Sequence, residues 1–306
     1  MGVRPSLSRA FRAISFNFYT AFLFTKSDIK TIVVPTMCCV LAAIFSSSDI
    51  QVLNWKILSA LAKSLLWCWL NLLIFNIENQ TRSYSIVEDH ANKEWRPIPS
   101  NRITLPTAKR CRYIAILVCA IYSHYHGVNG FAMLFLCLGS LYNNTAVHET
   151  ALARNFFCAS AYAIMGLGAD IVALRSYRQV DPLIYQWLAI LSAVVLSTIH
   201  VSDFPDMEGD RRLGRRTLPL VIGVSRVINL TVHTIMGWSA FLTFISFTSA
   251  TIFPFGILAM GMVVCNLLLR EQGDIFSQRI DRAYLYYTIW LALVAFAPVF
   301  NLQKSI

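Results

Sequence analysis

Ile199-His200-Val201-Ser202-Asp203-Phe204-Pro205-Asp206-Met207-Glu208-Gly209-Asp210-Arg211-Arg212-Leu213-Gly214-Arg215-Arg216-Thr217-Leu218-Pro219 closes an apolar run at 183–200. Asp203, Asp206 and Asp210 are spaced i, i+3, i+7, which puts three carboxylates on one face of a helix. Carboxylates packed that closely repel one another unless something cationic sits between them. Hard divalent cations want oxygen ligands, and Mg²⁺ takes one or two carboxylates plus water and phosphate oxygens. Pro205 removes a helical donor, so a kink is expected there. Arg211, Arg212, Arg215 and Arg216 follow at once and suit a polyanion. The plainer reading is a solvated loop whose acids and bases pair with each other.

Composition decides the setting of this stretch. The 306 residues are 56% hydrophobic and only 14% charged, against roughly 25% charge in an average soluble domain. A spanning helix takes about 20 apolar residues. Apolar runs fall near 29–45, 56–76, 112–126, 129–143, 156–174, 183–200, 226–248, 252–270 and 283–300. The expected fold is all-α: a polytopic membrane bundle of about nine helices around a central cavity. That excludes a soluble enzyme, a disordered chain and a nucleic-acid binder. The net charge of +10 has a topological cause. With the N-terminus in the cytosol, every Lys and Arg lies on the cytosolic side except Lys56, Lys63, Arg175, Arg178 and Lys304, as the positive-inside rule describes. Residues 1–27 mix Arg4, Arg9 and Arg12 with Phe11, Ile14, Phe16, Phe18 and Tyr19, which suits an interfacial helix. Residues 28–306 then form one transmembrane domain. The eight cysteines show no CxxC spacing and read as small buried hydrophobes.

A second polar cluster follows the second apolar run, on the same predicted face. Asn76, Asn79, Gln80 and Ser83 make a polar stripe at a span end, where such groups face a bundle interior or simply bond neighbouring helices. Glu88 and Asp89 supply acid; Lys93, Arg96 and Arg102 supply base. Asn79 and Asp89 are about 80° out of register on a regular helix, so both can face one ion only if the helix breaks between them. Arg96-Pro97-Ile98-Pro99 cannot continue a helix and reads as a turning loop. Together the two clusters describe one site: acidic helix ends and two sets of cations over an apolar bundle. A Mg²⁺-bound diphosphate with a hydrophobic tail, such as an isoprenyl diphosphate, has that shape.

These residues resemble the UbiA superfamily of intramembrane prenyltransferases. Asp89-x-x-Asn92-Lys93-x-x-Arg96-Pro97-Ile98-Pro99-Ser100-x-Arg102 is similar to its first signature. Asp203-x-x-Asp206-x-x-Gly209-Asp210-x-x-x-Gly214-Arg215-x-Thr217-x-Pro219 is similar to its second. The first motif departs from the usual Asn-Asp-x-x-Asp-x-x-x-Asp: Ser85 stands four before Asp89 and Thr81 eight before it. The form Asn79-Gln80, Ser85, Glu88-Asp89, with Trp95 before Arg96, resembles a fungal branch similar to UbiA-type terpene cyclases of secondary metabolism.

The resemblance implies a class I terpene cyclase. Mg²⁺ would be held by Asp203, Asp206 and Asp210 on one side, and by Asp89 with Asn79 or Glu88 on the other. Asp89, Asp206 and Asp210 would be the catalytic acids, and Lys93, Arg96, Arg102, Arg211 and Arg215 would bind the diphosphate. Trp67, Phe75, Tyr142, Phe156, Tyr162 and His200 are candidates to line the cavity, the aromatic faces favouring a migrating cation. The alternative is a prenyltransferase that attaches the chain to an aromatic acceptor at the same metal site. A transporter or structural membrane protein is a third reading, but it lacks a repeat and paired broken midplane helices. The expected partners are an isoprenyl diphosphate and the lipid bilayer, with no nucleic acid and no obligate protein partner. The expected place is the endoplasmic reticulum or another endomembrane, with the mouth facing the cytosol.

Overall fold

The computed structural model describes residues 4–46, 55–175, 180–246, 252–270 and 278–301, and among them every named element is helical. Helix α1 (Arg4–Thr25) leads through a π-helical turn at Ile29–Val33 into α2 (Val34–Ser46). Next come α3 (Trp55–Gln80), a short α4 (Ser83–Asn92), α5 (Leu105–Tyr125), α6 (Asn129–Asn144) and α7 (Ala151–Leu174). Helix α8 (Pro182–Thr198) runs through a 3₁₀ turn at Ile199–Ser202 into α9 (Asp203–Arg212). Helices α10 (Leu218–Ile222), α11 (Val224–Ser246), α12 (Phe253–Leu269), α13 (Gln278–Phe296) and α14 (Pro298–Asn301) complete the bundle.

The described parts of the apolar runs are almost wholly helical. Against the nine spans expected, four stretches among the described residues are by themselves long and apolar enough to cross a bilayer: Trp55–Gln80, Ala151–Leu174, Pro182–Arg212 and Val224–Ser246. Phe11–Thr25 and Ile29–Phe45 make a fifth if taken as one span bent by 68°. The outward faces are apolar, as lipid requires: Tyr113, Ile114, Leu117 and Ile121 of α5 are 62–67% exposed. Water would penalise such a belt.

Helix α7 is the hub, packed on α2, α3, α6 and α8. Small residues let its neighbours approach, the usual device where lipid gives no hydrophobic drive between helices. A Cβ on Gly168 would stand 2.2 Å from Cη2 of the fully buried Trp67. Trp67 in turn donates its indole N–H to Ser123 Oγ at 3.0 Å, so its one polar atom is satisfied in the core. The same pairing recurs at Trp290, which donates to Ser239 Oγ at 3.0 Å beside Gly261.

The connections at the end of the bundle that carries α4 and α9 hold the polar sequence. Helix α3 stops at Gln80 and the chain breaks at Thr81–Arg82 before α4, between Asn79 and Asp89. Residues 94–103 form successive turns, as the prolines dictate. Pro205 does not kink its helix. It falls in the first turn of α9, where a missing N–H costs nothing, and the irregularity lies upstream in the 3₁₀ turn. Arg216 N–H donates to Glu149 O at 2.8 Å and Ala151 N–H to Arg216 O at 3.2 Å, stitching the start of α7 to the chain beyond α9.

Gly168→Ala tests the hub. Overpacking against Trp67 should cost about 1–3 kcal/mol and lower the melting temperature of the detergent-solubilised protein. An unchanged melting temperature would mean that α7 and α3 are not in close contact there.

Candidate active site

Helices α4 and α9 pack against each other and carry the two acidic clusters. Gly209 sets how closely they approach: a Cβ there would lie 2.4 Å from Asn92 Nδ2 and 2.9 Å from Glu88 Cγ. Asn92 crosses the contact and donates to Asp206 O at 3.3 Å. The glycine between Asp206 and Asp210 therefore has a packing reason independent of any ligand.

The acids share one face of α9, as their spacing requires. Asp203 and Asp210 are buried, while Glu208, off that face, is exposed and pairs with Arg211 and Arg212. Each acid of this cluster meets a cation from outside its own helix. Lys93 Nζ donates to both Asp206 oxygens at 2.8 and 2.9 Å. Arg96 Nη1 donates to Asp89 Oδ1 at 2.6 Å. Arg215 Nη1 lies 2.8 Å from both Glu88 Oε2 and Asp210 Oδ1. Arg154 of α7 reaches Asp203 Oδ1 at 2.9 Å and Asp210 Oδ2 at 3.6 Å.

Electrostatics follow from this crowding. Burial pushes the Asp89 carboxyl up to about 6, and the opposing pull of Arg96 and Lys93 does not fully offset it. Burial works to lower the Lys93 ammonium, but Asp206 more than compensates and holds it above an ordinary lysine. Two carboxylate oxygens stay underused: Asp89 Oδ2 is buried with no hydrogen-bond partner, and Asp210 Oδ2 has only the distant Arg154. Among the described residues no three acids, histidines or cysteines are grouped as a ready metal cage.

The structure thus brings together Glu88, Asp89, Lys93, Arg96, Asp203, Asp206, Asp210 and Arg215. It takes others elsewhere. Arg102 donates from Nε to Thr20 Oγ1 at 2.8 Å and stacks over Phe16 at 3.9 Å, so it clamps α1 instead of facing the acids. Arg211 is 53% exposed on Glu208. Asn79 donates to Asn143 Oδ1 at 2.9 Å, joining α3 to α6. Among the cavity candidates, Phe156 is corrected outright: it is 65% exposed on the outside of the bundle. Trp67 belongs to the core, and the Tyr162 hydroxyl is tied to Thr31 O. Thr231 spends its own proton on Val227 O, so the 2.7 Å contact with His200 Nε2 needs the proton on that nitrogen. Phe75 and Tyr142 remain in one aromatic cluster with Phe157, their ring centroids 4.5–6.0 Å apart.

Sequence reasoning missed Arg154 and Lys30, counting both only toward topology. Lys30, in the π-helical turn, sits 4.2 Å over the Tyr284 ring and within electrostatic reach of Asp206. Nothing in one sequence marks Arg154 beyond its being a charge just before an apolar run. Glu78 of α3 stands apart from the acids of α4 and α9. It pairs with Arg82 at 2.8 Å and Arg112 at 2.7 Å and accepts from Ser140 at 3.1 Å.

Removing Arg154 should be far worse than removing Arg211. Arg154→Met leaves Asp203 buried without its cation, a loss of about 3–5 kcal/mol, whereas Arg211→Met breaks only an exposed pair. Thermal unfolding of the two variants in detergent checks this. Equal melting temperatures would remove Arg154 from the cluster.

The UbiA prenyltransferase family pattern matches residues 32–294. The chain is 31% identical to somaliensene A/B synthase of Streptomyces somaliensis over 207 residues, 67% of this chain and 66% of that protein. It is 27% identical to the diterpene cyclase eriG of Hericium erinaceus, over 78% of this chain and 76% of that one. It is 26% identical to fumagillin beta-trans-bergamotene synthase af520 of Aspergillus fumigatus, over 66% of each. The chain thus spans just under two thirds of the first and third of these relatives. Its fold is similar to that of a UbiA homolog from Aeropyrum pernix, with a TM-score of 0.62 at 12% identity over 90% of this chain and 98% of that one. A UbiA homolog from Archaeoglobus fulgidus bound to DMAPP and Mg2+ superposes with a TM-score of 0.57 at 12% identity, over 94% of this chain and all of that one. The chain is an integral membrane protein and belongs to the UbiA prenyltransferase family.

Proposed function

We propose that this protein is an intramembrane class I terpene cyclase that ionises an isoprenyl diphosphate and closes the released cation into a terpene. The observation that carries this reading is the cluster of buried carboxylates interleaved with cations at one end of an apolar bundle. Three similar proteins named as terpene synthases or cyclases favour cyclisation over transfer. Transfer to an acceptor is the second reading, favoured by 25% identity to the polyprenyl transferase eriF over 87% of this chain.

The residues present suit Mg²⁺. Asp89 Oδ2 and Asp210 Oδ2 each offer a buried oxygen without a good partner, one from each motif. Mg²⁺ needs only one or two carboxylates when phosphate oxygens fill its other positions, so a closed cage is not required. Asp89 on α4 and Asp203, Asp206 and Asp210 on α9 would hold it. When bound, it would supply positive charge to the departing diphosphate. Lys93, Arg96, Arg154 and Arg215 stand ready to exchange a carboxylate for a phosphate oxygen, so the charge stabilising the leaving group is in place beforehand. The buried aromatic cluster of Phe75, Tyr142 and Phe157 excludes water from the allylic cation and offers it π-faces. We place the protein in an endomembrane with the acidic mouth toward the cytosol, because the basic residues gather at that end.

Membranes carrying the protein, given Mg²⁺ and farnesyl or geranylgeranyl diphosphate without acceptor, should yield a cyclic hydrocarbon by GC–MS. No product until an aromatic acceptor is added would overturn the cyclase in favour of the transferase. Asp206→Asn and Asp210→Asn should each lower turnover by about 10²-fold or more with the protein still inserted. Near-normal turnover in either would remove that acid from the chemistry. Asp89→Asn should be worse than Glu88→Gln, because Asp89 keeps a free buried oxygen while Glu88 is held by Arg215; the reverse order would exchange their roles.

A further inference from the structure

Helices α3, α5 and α6 line a partly open cavity of about 130 Å³, apart from the acids of α4 and α9 and mainly apolar, among its residues Phe75, Ala132, Phe135 and Gly139, with Glu78 and two asparagines also on its wall. Phe75 stands at its boundary. One side of Phe75 faces the cavity and Gly139, whose ideal Cβ would lie 3.0 Å from Phe75 Cδ2. The ring also stacks on Phe157 at 6.0 Å and meets Tyr142 at 6.0 Å. Tyr142 in turn lies within electrostatic reach of Arg154 and Arg215. A line of side chains thus leads from the acid-bound cations, through Tyr142 and Phe75, to the empty space. Phe75 is also one helical turn below Asn79, the upper end of the same α3 face.

The geometry points to Phe75 as the residue that sets the chain length of the isoprenyl diphosphate, by shutting off this cavity from the tail. The inference rests on the reading of the site given above. A cavity of 150 Å³ lined by Leu, Ile and Phe takes a benzene. The space behind Phe75 is therefore of the size of one isoprenyl unit, five carbons. With the ring in place the tail must end before it. With the ring removed, a chain one unit longer has room. Because most of the wall is apolar, the added unit gains mainly by burial.

The test uses full-length protein in membranes with Mg²⁺ and four all-trans substrates: geranyl, farnesyl, geranylgeranyl and geranylfarnesyl diphosphate. Relative kcat/KM is ranked from total hydrocarbon and released diphosphate. Phe75→Ala, with Phe75→Leu as the gentler variant, should move the preference to the next longer substrate by about tenfold or more. Ala132→Leu, which fills the cavity from its far wall, should leave the wild-type ranking as it was. Combined with Phe75→Ala it should restore the shorter preference. An unchanged ranking in both Phe75 variants, or a shift that Ala132→Leu does not reverse, overturns the inference. So does loss of all turnover in both variants while they remain inserted, since Phe75 would then act in the chemistry itself. Wild-type protein that turns over none of the four substrates overturns the proposed function instead.

Discussion

Five carboxylates, those of Glu88, Asp89, Asp203, Asp206 and Asp210, are held at the end of a bundle whose remaining surface is built for lipid. Taking such charges from water costs several kcal/mol each unless cations accompany them. That requirement organises the whole polar end. The four cations come from the turn after α4, from α7 and from the loop after α9. The basic residues of α9 itself, Arg211 and Arg212, are taken up by Glu208 off the acidic face, so the cations for Asp203, Asp206 and Asp210 come from other elements. Acids on α9 and cations elsewhere is the arrangement that lets α4, α7 and α9 converge. The backbone bonds between Arg216 and residues 149–151 then fix α7 against the loop that carries Arg215.

Under the proposed function, the same constraint would let the site accept a polyanion without rebuilding itself. Every cation is already held in position by a carboxylate. An incoming diphosphate with a divalent cation brings charges of both signs, so carboxylates and cations can exchange partners while their sum is conserved. Preorganisation of this kind keeps the reorganisation cost low in a medium of low dielectric. The partnerless Asp89 Oδ2 marks where the present pairing is least complete, and Asp206, with both oxygens on Lys93, marks where it is most complete.

Some of this was legible in the sequence and some was not, for physical reasons. The acids of α9 were legible because three residues at i, i+3 and i+7 lie within one helix, where local geometry alone places them together. The turn at 94–103 was legible because proline restricts its own φ and its predecessor. The break at Thr81–Arg82 was legible only as a condition for Asn79 and Asp89 to face one ion, and although the chain does break there, Asn79 bonds Asn143 instead. Arg154 was not legible: it is 49 positions before Asp203, and only the packing of α7 brings the two together. Arg102 was misplaced for the opposite reason. Its position in the motif suggested the diphosphate, but Thr20 and the rings of Phe16 and Tyr19 offer its guanidinium a complete set of contacts on α1.

The aromatic residues show where sequence reading reaches its limit in a membrane protein. In water, an apolar side chain is sorted inward; in lipid, Phe156 and Phe157 are equally acceptable on opposite faces of α7, and only helix packing decides between them. Phe156 faces outward, whereas Phe157 is buried against Phe75 and Tyr142. What separates them is the 100° turn per residue together with Gly139, whose lack of a side chain makes room for Phe75. A polar mouth can be recognised from charge spacing, because charge is scarce here and its placement is costly. The shape of the apolar interior is set by small and large residues meeting across helices, and by the one ring that stands between the chemistry and an empty space.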